Sequence, residues 1–353
     1  MDNPSSPYPP STGAAGQRAE PDRIWRPALL RGALMLLGTL VLATGFIVSY
    51  VGALHDPRPR DLPVAVVGTD QPARTLLAAV RQHGRELAPI AYPDRGAADR
   101  ALHRRDVYAV LESGPAGGAP GLTLTTASGA APFAAQAIGQ LVSTAAQRAQ
   151  VPLVVRDAIP VAAGDPRGLV PFYLGVGFVL GGYLGSVALA ITLGPVPAGL
   201  SRAAVRIGAL AVHSALLGLA GALVVGPGLD VFPGDFGGLV GTGALVAFAA
   251  AMATAAVQSW LGLPGTALVI LVLVVLGNPG SGGVYAPEFL PDFFRAMHRW
   301  NIPGLATDMI KSVAYFGADA ARWPAGTLAI WAVVGAAVLV AASTVRGRRR
   351  SDG

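Results

Sequence analysis

The chain has 353 residues and a net charge of +6, from 26 Lys and Arg against 20 Asp and Glu, and only 13% of its residues are charged. Soluble domains carry roughly 25% charged residues. The hydrophobic fraction of 52% and the mean hydropathy of +0.52 therefore indicate a protein that has lipid around much of its surface. The absence of cysteine excludes disulfides, a thiolate nucleophile and Cys-ligated metals.

The N-terminal region is predicted to be a tail followed by a membrane anchor. Residues 1–27 are rich in Pro, Ser and Gly, which is typical of a disordered, here cytosolic, tail. The run from Gly32 to Leu54 has no charged residue and exceeds the roughly 20 apolar residues that span a bilayer. It is also longer than the roughly 7–15 apolar residues of a signal peptide, so we predict a retained anchor over residues 28–54.

Residues 55–167 are predicted to form an α/β domain outside the membrane, since they hold twelve Arg and ten Asp or Glu. Short apolar runs that end at Gly, Pro or Ser predict strands, and the helical spacing of apolar residues between them predicts helices. The resulting order is βαβαββαβ, which favours a compact α/β fold. The predicted strands are Leu62–Gly68, Leu87–Pro93, Val107–Ser113 and Leu122–Ser128, followed by an extended return at residues 151–161.

Residues 168–346 are predicted to be a bundle of five spans, which with the anchor gives an α-helical polytopic membrane protein of about six spans. The fifth span overall, at about Gly265 to Gly277, is short unless it begins at Ser259, and a re-entrant hairpin is the alternative. In the second span three glycines recur every four residues, which favours close packing within one chain or, alternatively, a dimer interface. These glycines are Gly177, Gly181 and Gly185.

One histidine, His213, is the only ionisable residue inside a predicted span. Intramembrane ionisable groups are functional candidates by default, so His213 is a candidate polar site for proton or substrate coupling. The alternative is a neutral histidine that forms a hydrogen bond to a neighbouring helix at little cost.

Before the last span, residues 287–317 are predicted to form two external amphipathic helices that lie in the membrane interface. They could also dip into the membrane and return, or form an ordinary external loop. The first helix is expected to place four apolar side chains on one face: Phe293, Phe294, Met297 and Trp300. In the second, Asp308 and Lys311 are three residues apart, a spacing that allows a weak ion pair of a few tenths of a kcal/mol.

The arginine distribution predicts the topology. Three groups flank predicted spans: residues 18–31, Arg202 with Arg206, and the basic tail at 347–353 together with Arg346. With the rest of the N-terminal tail, which includes Asp2, the three cytosolic parts carry +1, +2 and +3, which equals the whole net charge of +6. Because cytoplasmic flanks are enriched in Lys and Arg, we predict a plasma-membrane protein with both termini in the cytoplasm. Nucleic acid is not an expected partner, because the basic residues do not form one stripe.

No catalytic, cofactor or metal motif is visible, so an enzyme is not expected. A Walker A site needs Gly-Lys-Ser/Thr, and the only lysine, Lys311, follows Ile310. Any ATP-driven function therefore needs a separate P-loop ATPase subunit.

Three stretches resemble a known group: LPVAVVGTD at the start of the α/β domain, DPRGLVPFYLGVGFVLGGYLG entering the second span, and GNPGSGGVYAPEFLPDFFRAM with GLATDMIKSVAYFG. From about Asp61 onward the chain resembles type-2 ABC exporter permeases, and more narrowly the actinobacterial branch of the phage-infection-protein (Pip/YhgE-like) group. The resemblance implies a permease subunit that contacts membrane lipid and pairs with itself or a related permease and a cytosolic ATPase. A non-transporting envelope protein whose α/β domain binds a partner is the alternative. The resemblance supplies no catalytic residues.

Overall fold

The structure is a computed structural model that describes residues 22–116, 119–262 and 264–351. Contacts divide the chain into two units, Met1–Gly45 and Phe46–Gly353. The described part of the first unit is helical and belongs to helix α1, Asp22–Leu54. Helix α1 therefore begins six residues before the expected boundary at residue 28, and the rest of the predicted tail, residues 1–21, lies outside the described residues.

Five helices are long and apolar enough to cross a membrane in the described part of the chain, which indicates a membrane-embedded protein. Besides α1 they are α5 (Val170–Leu193), α6 (Leu200–Leu223, continued as a π-helix to Gly228), α7 (Phe236–Leu261) and α11 (Arg322–Ser351). Pro227 lies in the π-helical turn, where a proline removes a helical hydrogen bond and kinks the helix. Helix α11 continues through the basic segment that begins at residue 347.

The expected sixth span is not a long helix. Helix α8, Gly265–Val269, continues as a π-helical segment, Ile270–Leu276, so only 12 residues are helical. At about 1.5 Å per residue these cover roughly 18 Å, against the roughly 30 Å of a hydrocarbon core. The helix is short because α7 ends at Gly262, whose φ of +66° breaks the run, and because Pro279 starts a new turn. These 12 residues therefore cover only part of a hydrocarbon core, and the residues after Leu276 carry the chain back to the α/β region, where Phe289 and Phe316 are buried.

The α/β region has the predicted order βαβαββαβ and lies in sequence between α1 and α5. Its elements are β1 Leu62–Val67, α2 Gln71–His83, β2 Leu87–Tyr92, α3 Arg95–His103, β3 Ala109–Ala116, β4 Ala119–Thr126, α4 Pro132–Arg148 and β5 Leu153–Asp157. The sheet order is β2-β1-β3-β4-β5. The consecutive strands β3 and β4 pair antiparallel, and the other neighbouring pairs are parallel.

Helix α7 is the centre of the bundle and packs along α5, α6 and α11. Small residues permit this close approach. A Cβ built on Gly182 would overlap the carbonyl oxygen of Ala247, and one built on Gly243 would lie 2.7 Å from the Cα of Gly218. Helix α11 meets α7 in the same way, since a Cβ on Gly335 would overlap the backbone of Met252. Backbone contact therefore fixes the spacing of these four helices.

Between α7 and α11 the chain forms a broken segment, residues 265–316. It contains α8, two 3₁₀ turns (Pro279–Ser281 and Pro287–Phe289), α9 (Asp292–His298) and α10 (Ile302–Tyr315). Helix α10 runs antiparallel to α7, because Ile302 shares a cavity wall with Ala253 while Val313 lies against Gly238. The π-helical segment that continues α8 ends beside the start of α10, since a Cβ on the next residue, Gly277, would lie 2.9 Å from Pro303.

The α/β region and the broken segment share one hydrophobic core. Ala286, Phe289 and Phe316 are buried in the same cluster as the strands β1, β3 and β4. Tyr285 and Tyr315 pack against this cluster. The α/β region is therefore seated directly on residues 285–316.

Candidate functional site

Helices α9 and α10 differ from the expected interfacial pair. Helix α10 packs against α5, α7 and α11 and is buried on nearly every side. In and after α9, Phe294 is 9% exposed while Phe293 and Trp300 are each 58% exposed, and Met297 is half-buried. Adjacent helical residues lie about 100° apart, and here Phe294 is turned toward the protein while Phe293 is turned away from it. Contact of the exposed pair with lipid remains a prediction.

Asp308, on α10, joins two distant parts of the chain. Its Oδ1 accepts a hydrogen bond from the Arg105 guanidinium at 2.8 Å, and its backbone oxygen accepts a second at 3.0 Å. Its Oδ2 lies 2.9 Å from Nε2 of His298 on α9. Because Arg105 lies in the turn between α3 and β3, this ion pair links the α/β region to the interior of the bundle.

Arg105 is held in an uncommon conformation. Its φ is +60°, in the left-handed region that costs a residue with a Cβ about 1 kcal/mol or more. The side chain is only 13% exposed, and its Nε is buried without a hydrogen-bond partner among the described residues. The turn between α3 and β3 thus accepts backbone strain in order to direct the guanidinium to Asp308.

A second polar contact lies beside the first. The Tyr108 hydroxyl, on the chain entering β3, donates to Oε2 of Glu288 at 2.8 Å. The backbone of Glu288 also accepts from the amide of Arg60 at 3.0 Å. Glu288 belongs to the broken segment, so this contact and the Asp308 pair both cross from the α/β region to the bundle.

Lys311, one turn after Asp308, is buried to 3% exposure. Its ammonium donates to the backbone oxygen of Gly282 at 3.3 Å, and no carboxylate within salt-bridge distance is found for it among the described residues. The predicted Asp308–Lys311 pair is therefore wrong in this structure, because Asp308 turns to Arg105 and His298 instead. We call the set Arg105, Tyr108, Glu288, His298, Asp308 and Lys311 the Asp308 cluster.

Neighbouring charges set the protonation of the acid in the cluster. Burial alone would raise the pKa of the Asp308 carboxyl, but the charges and hydrogen bonds of His298 and Arg105 outweigh burial and hold this pKa well below its usual range. Burial and the nearby Glu288 raise the pKa of the Tyr108 hydroxyl well above its usual value. Asp308 is therefore ionised and Tyr108 neutral at any physiological pH.

The lysine behaves differently. Burial, together with the positive charge of Arg105, lowers the pKa of Lys311 to about 8. Three carboxylates act in the opposite direction and limit this shift: Asp308, Asp165 and Glu288. The cluster therefore holds one permanent ion pair and one cation that exchanges its proton at mildly alkaline pH. The described residues contain no group of three or more His, Cys, Asp or Glu that could hold a metal ion.

The predicted glycine and histidine residues meet at the α5–α6 contact. Nε2 of His213 lies 3.1 Å from the backbone oxygen of Gly181, and a Cβ on Gly185 would lie 2.6 Å from the His213 ring. A Cβ on Gly181 would lie 2.7 Å from Leu217, whereas one on Gly177 would contact no atom of the described chain within 4 Å. Gly181 and Gly185 thus face α6, and His213 lies within hydrogen-bond distance of the backbone of α5.

Sequence reasoning missed most of the Asp308 cluster. Arg105 and Asp308 are 203 residues apart, and no local spacing connects them. One signal was available, since the only lysine of the chain lies in a helix that is otherwise largely apolar. No protein-family model, curated protein or solved structure matches the chain. The function is therefore inferred from contacts within the molecule.

Proposed function

We propose that this protein is a multi-pass plasma-membrane permease-like subunit of an exporter, driven by a separate cytosolic P-loop ATPase and moving a lipid, drug or envelope component. The observation that carries the proposal is the broken segment, which lies inside the helical bundle and is joined to the α/β region by the Asp308 cluster. In this arrangement a displacement of the α/β region reaches the centre of the bundle.

Interrupted helices support transport for a physical reason. Non-helical backbone at membrane depth is tolerated only where protein or a water-filled cavity surrounds it, and transporters use such breaks to build sites that change shape. The residues around Gly280 and Gly282 meet this condition, because their carbonyl oxygens accept hydrogen bonds from His298, Asn301 and Lys311. The resemblance to exporter permeases described above points the same way.

The partners follow from what the chain lacks and from its charge. The sequence has no Walker A site, so hydrolysis belongs to another subunit. The arginine distribution puts both termini and the α5–α6 turn on the cytoplasmic side, where an ATPase would dock, and a second copy or related permease would complete the transporter.

Disulfide locking tests the proposal cleanly, because the chain has no cysteine of its own. A Cβ on Gly129 of the α/β region would lie 2.9 Å from Cγ of Tyr315 on α10, so Gly129→Cys with Tyr315→Cys should cross-link the two regions on oxidation. The matched control, Gly114→Cys with Thr123→Cys, has a Cβ–Cβ separation of 3.9 Å and lies within the sheet.

The measurement is ATP hydrolysis by the complex that co-purifies in mild detergent, after reconstitution in nanodiscs with candidate lipids. Oxidation of the Gly129–Tyr315 pair should abolish lipid stimulation, a reductant should restore it, and the control pair should leave it unchanged. If no ATPase co-purifies and expression changes no efflux of dye or fluorescent lipid from cells, the transport proposal fails.

One observation favours the alternative of a non-transporting envelope protein. Helices α2 and α4 enclose a cavity of about 620 Å³ with mostly apolar walls, including Leu76, Val80 and Leu141, and with Glu86 and Arg148 among its lining residues. Cavities of this size bind small apolar ligands or partner side chains. A ligand bound there without any ATPase would support this second function.

A further inference from the structure

The turn between α5 and α6 encloses a cavity of about 540 Å³. Its walls include Gly194 and Pro195 from the turn, Arg202 and Arg206 from α6, and Arg346 from α11. We call it the arginine pocket. It lies at the ends of three apolar helices, away from the ends that meet the α/β region.

The pocket has positive charge without negative charge. None of its described lining residues is acidic, and none of its three arginines forms an ion pair among the described residues. Arg202 and Arg346 are exposed, and Arg206 is only 2% exposed. Three cations that share one cavity repel each other unless an anion joins them.

Arg206 shows that this is a built site. Its guanidinium donates to the backbone oxygens of Gly194 at 2.9 Å, Pro195 at 3.1 Å and Ser186 at 3.3 Å. These carbonyls fix the side chain but carry no full negative charge. Its Nε is buried without a hydrogen-bond partner among the described residues. Burying a cation without a counter-ion costs free energy, so an anion bound beside Arg206 would stabilise this arrangement.

The position of the pocket identifies the source of the anion. Helix α5 ends at Leu193, α6 begins at Leu200, and the apolar part of α11 ends at Arg346, so the pocket lies at the depth of lipid headgroups. Leu193, Leu200 and Val205 beside it are exposed apolar side chains. A free phosphate ion would leave these side chains without partners, whereas the acyl chains of a lipid would cover them.

We propose that the arginine pocket binds the phosphate of an anionic phospholipid, with Arg202 and Arg346 holding the headgroup and Arg206 supplying the buried positive charge. Basic pockets between membrane helices are suited to such headgroups. The inference requires only that the protein is embedded in a membrane. It does not rest on transport or on an ATPase.

The test is a native mass-spectrometry titration of the full-length protein with phosphatidylglycerol and, separately, phosphatidylcholine. The wild type should bind phosphatidylglycerol more tightly than phosphatidylcholine. Arg202→Gln with Arg346→Gln should weaken phosphatidylglycerol binding about 30-fold, which corresponds to about 1 kcal/mol for each basic group. Arg299→Gln with Arg322→Gln removes two exposed charges at the other end of the bundle, neither of which forms an ion pair among the described residues, and should leave the affinity unchanged.

A second variant separates binding from folding. Ser201→Glu adds a carboxylate to the pocket, and in the first turn of α6 a negative charge stabilises the helix. This variant should keep or raise the thermal stability and lose the preference for phosphatidylglycerol. Unchanged phosphatidylglycerol affinity in both pocket variants would overturn the proposal. Displacement of the lipid by millimolar inorganic phosphate would also overturn it, because the site would then belong to a soluble anion.

Discussion

The two ends of the helical bundle handle buried charge in opposite ways. At the α/β end, the Asp308 cluster brings the cations of Arg105 and Lys311 together with carboxylates of the same chain, Asp308 and Glu288. At the other end, the arginine pocket gathers three cations and no carboxylate among the described residues. Charge that is neutralised within the chain holds the fold together, whereas charge left without a counter-ion indicates a ligand that the chain does not contain.

The surroundings explain the difference. The Asp308 cluster lies where two parts of the same protein meet, so partners can come from either part. The arginine pocket lies at a turn of six residues, 194–199, between two long helices, where little of the chain is available to supply an acid. The surrounding lipid is the remaining source.

The largest effect is expected from removing the anion of the Asp308 cluster. Asp308→Ala leaves Arg105 buried without its partner, and loss of one member of a buried ion pair costs about 3–5 kcal/mol. The free energy of unfolding in detergent, followed by denaturant titration, should fall by this amount.

The matched control for this prediction is Asp292→Ala. Asp292 is 90% exposed and lies 3.6 Å from Arg60, and exposed pairs contribute about 0–1 kcal/mol. Equal losses of unfolding free energy in the two variants would contradict the comparison, because the ion pair of the Asp308 cluster would then contribute no more than an exposed one.

The next effect concerns the helix contact that separates the two ends. Gly182→Ala would push a methyl group into the backbone of Ala247, and overpacking of this kind costs about 1–3 kcal/mol. Gly177→Ala on the same helix meets open space and should be neutral or slightly stabilising, since alanine favours helices. The melting temperatures of the two variants in detergent measure this difference. Equal melting temperatures would show that the helices shift to accommodate the added methyl group.

A pH titration tests whether burial lowers the pKa of Lys311 in the Asp308 cluster. The pKa of Lys311 is lowered from 10.5 to about 8 by burial. Between these values the unfolded chain binds more protons than the folded chain, so the stability that Lys311 contributes rises with pH. From pH 8 to 9.5 the gain is about 1.5 kcal/mol.

The measurement is the difference in unfolding free energy between the wild type and Lys311→Met at the two pH values. Tyrosines of the unfolded chain begin to ionise near pH 9.5, but they do so in both proteins, so their contribution, including that of Tyr108, cancels in the difference. A difference that stays constant or falls from pH 8 to 9.5 would show that the pKa of Lys311 is not lowered in the folded protein.

The smallest effect is expected at the α5–α6 contact, between the two ends. His213→Leu removes the hydrogen bond to Gly181, and a single hydrogen bond contributes about 1 kcal/mol. Val212→Leu, at an exposed neighbouring position, is the control and should change little. Lipid binding at the arginine pocket should be unchanged in both. A loss of phosphatidylglycerol affinity in the His213 variant alone would mean that this contact and the pocket are coupled.

The α/β region was the most predictable part of the molecule. Its apolar runs are short and are separated by turn residues, so the spacing of the apolar residues and the positions of the turn residues predict the same element boundaries. Asp70 and Asp94 precede helices α2 and α3, and their side chains accept from backbone amides three residues on, at 3.1 and 2.7 Å. Local chemistry of this kind can be read from a sequence.

The broken segment was less predictable, because hydropathy does not report where a helix stops inside a bundle. The apolar run before Gly277 has the composition of a span, yet only 12 residues from Gly265 are helical. Helix α10 has one strongly apolar face, but packing against three helices buries its polar residues as well. Partners such as Arg105 come from elsewhere in the fold, and only the three-dimensional structure brings them to Asp308.

The shared core has a practical consequence for anyone who wants to study the α/β region alone. A fragment of residues 55–167 would lose Ala286, Phe289 and Phe316 and would expose the apolar strand surface that they cover. Such a fragment should aggregate or bind other proteins indiscriminately. A ligand screen with the excised piece would then report this artificial surface, so screens for natural binding partners need the intact polypeptide.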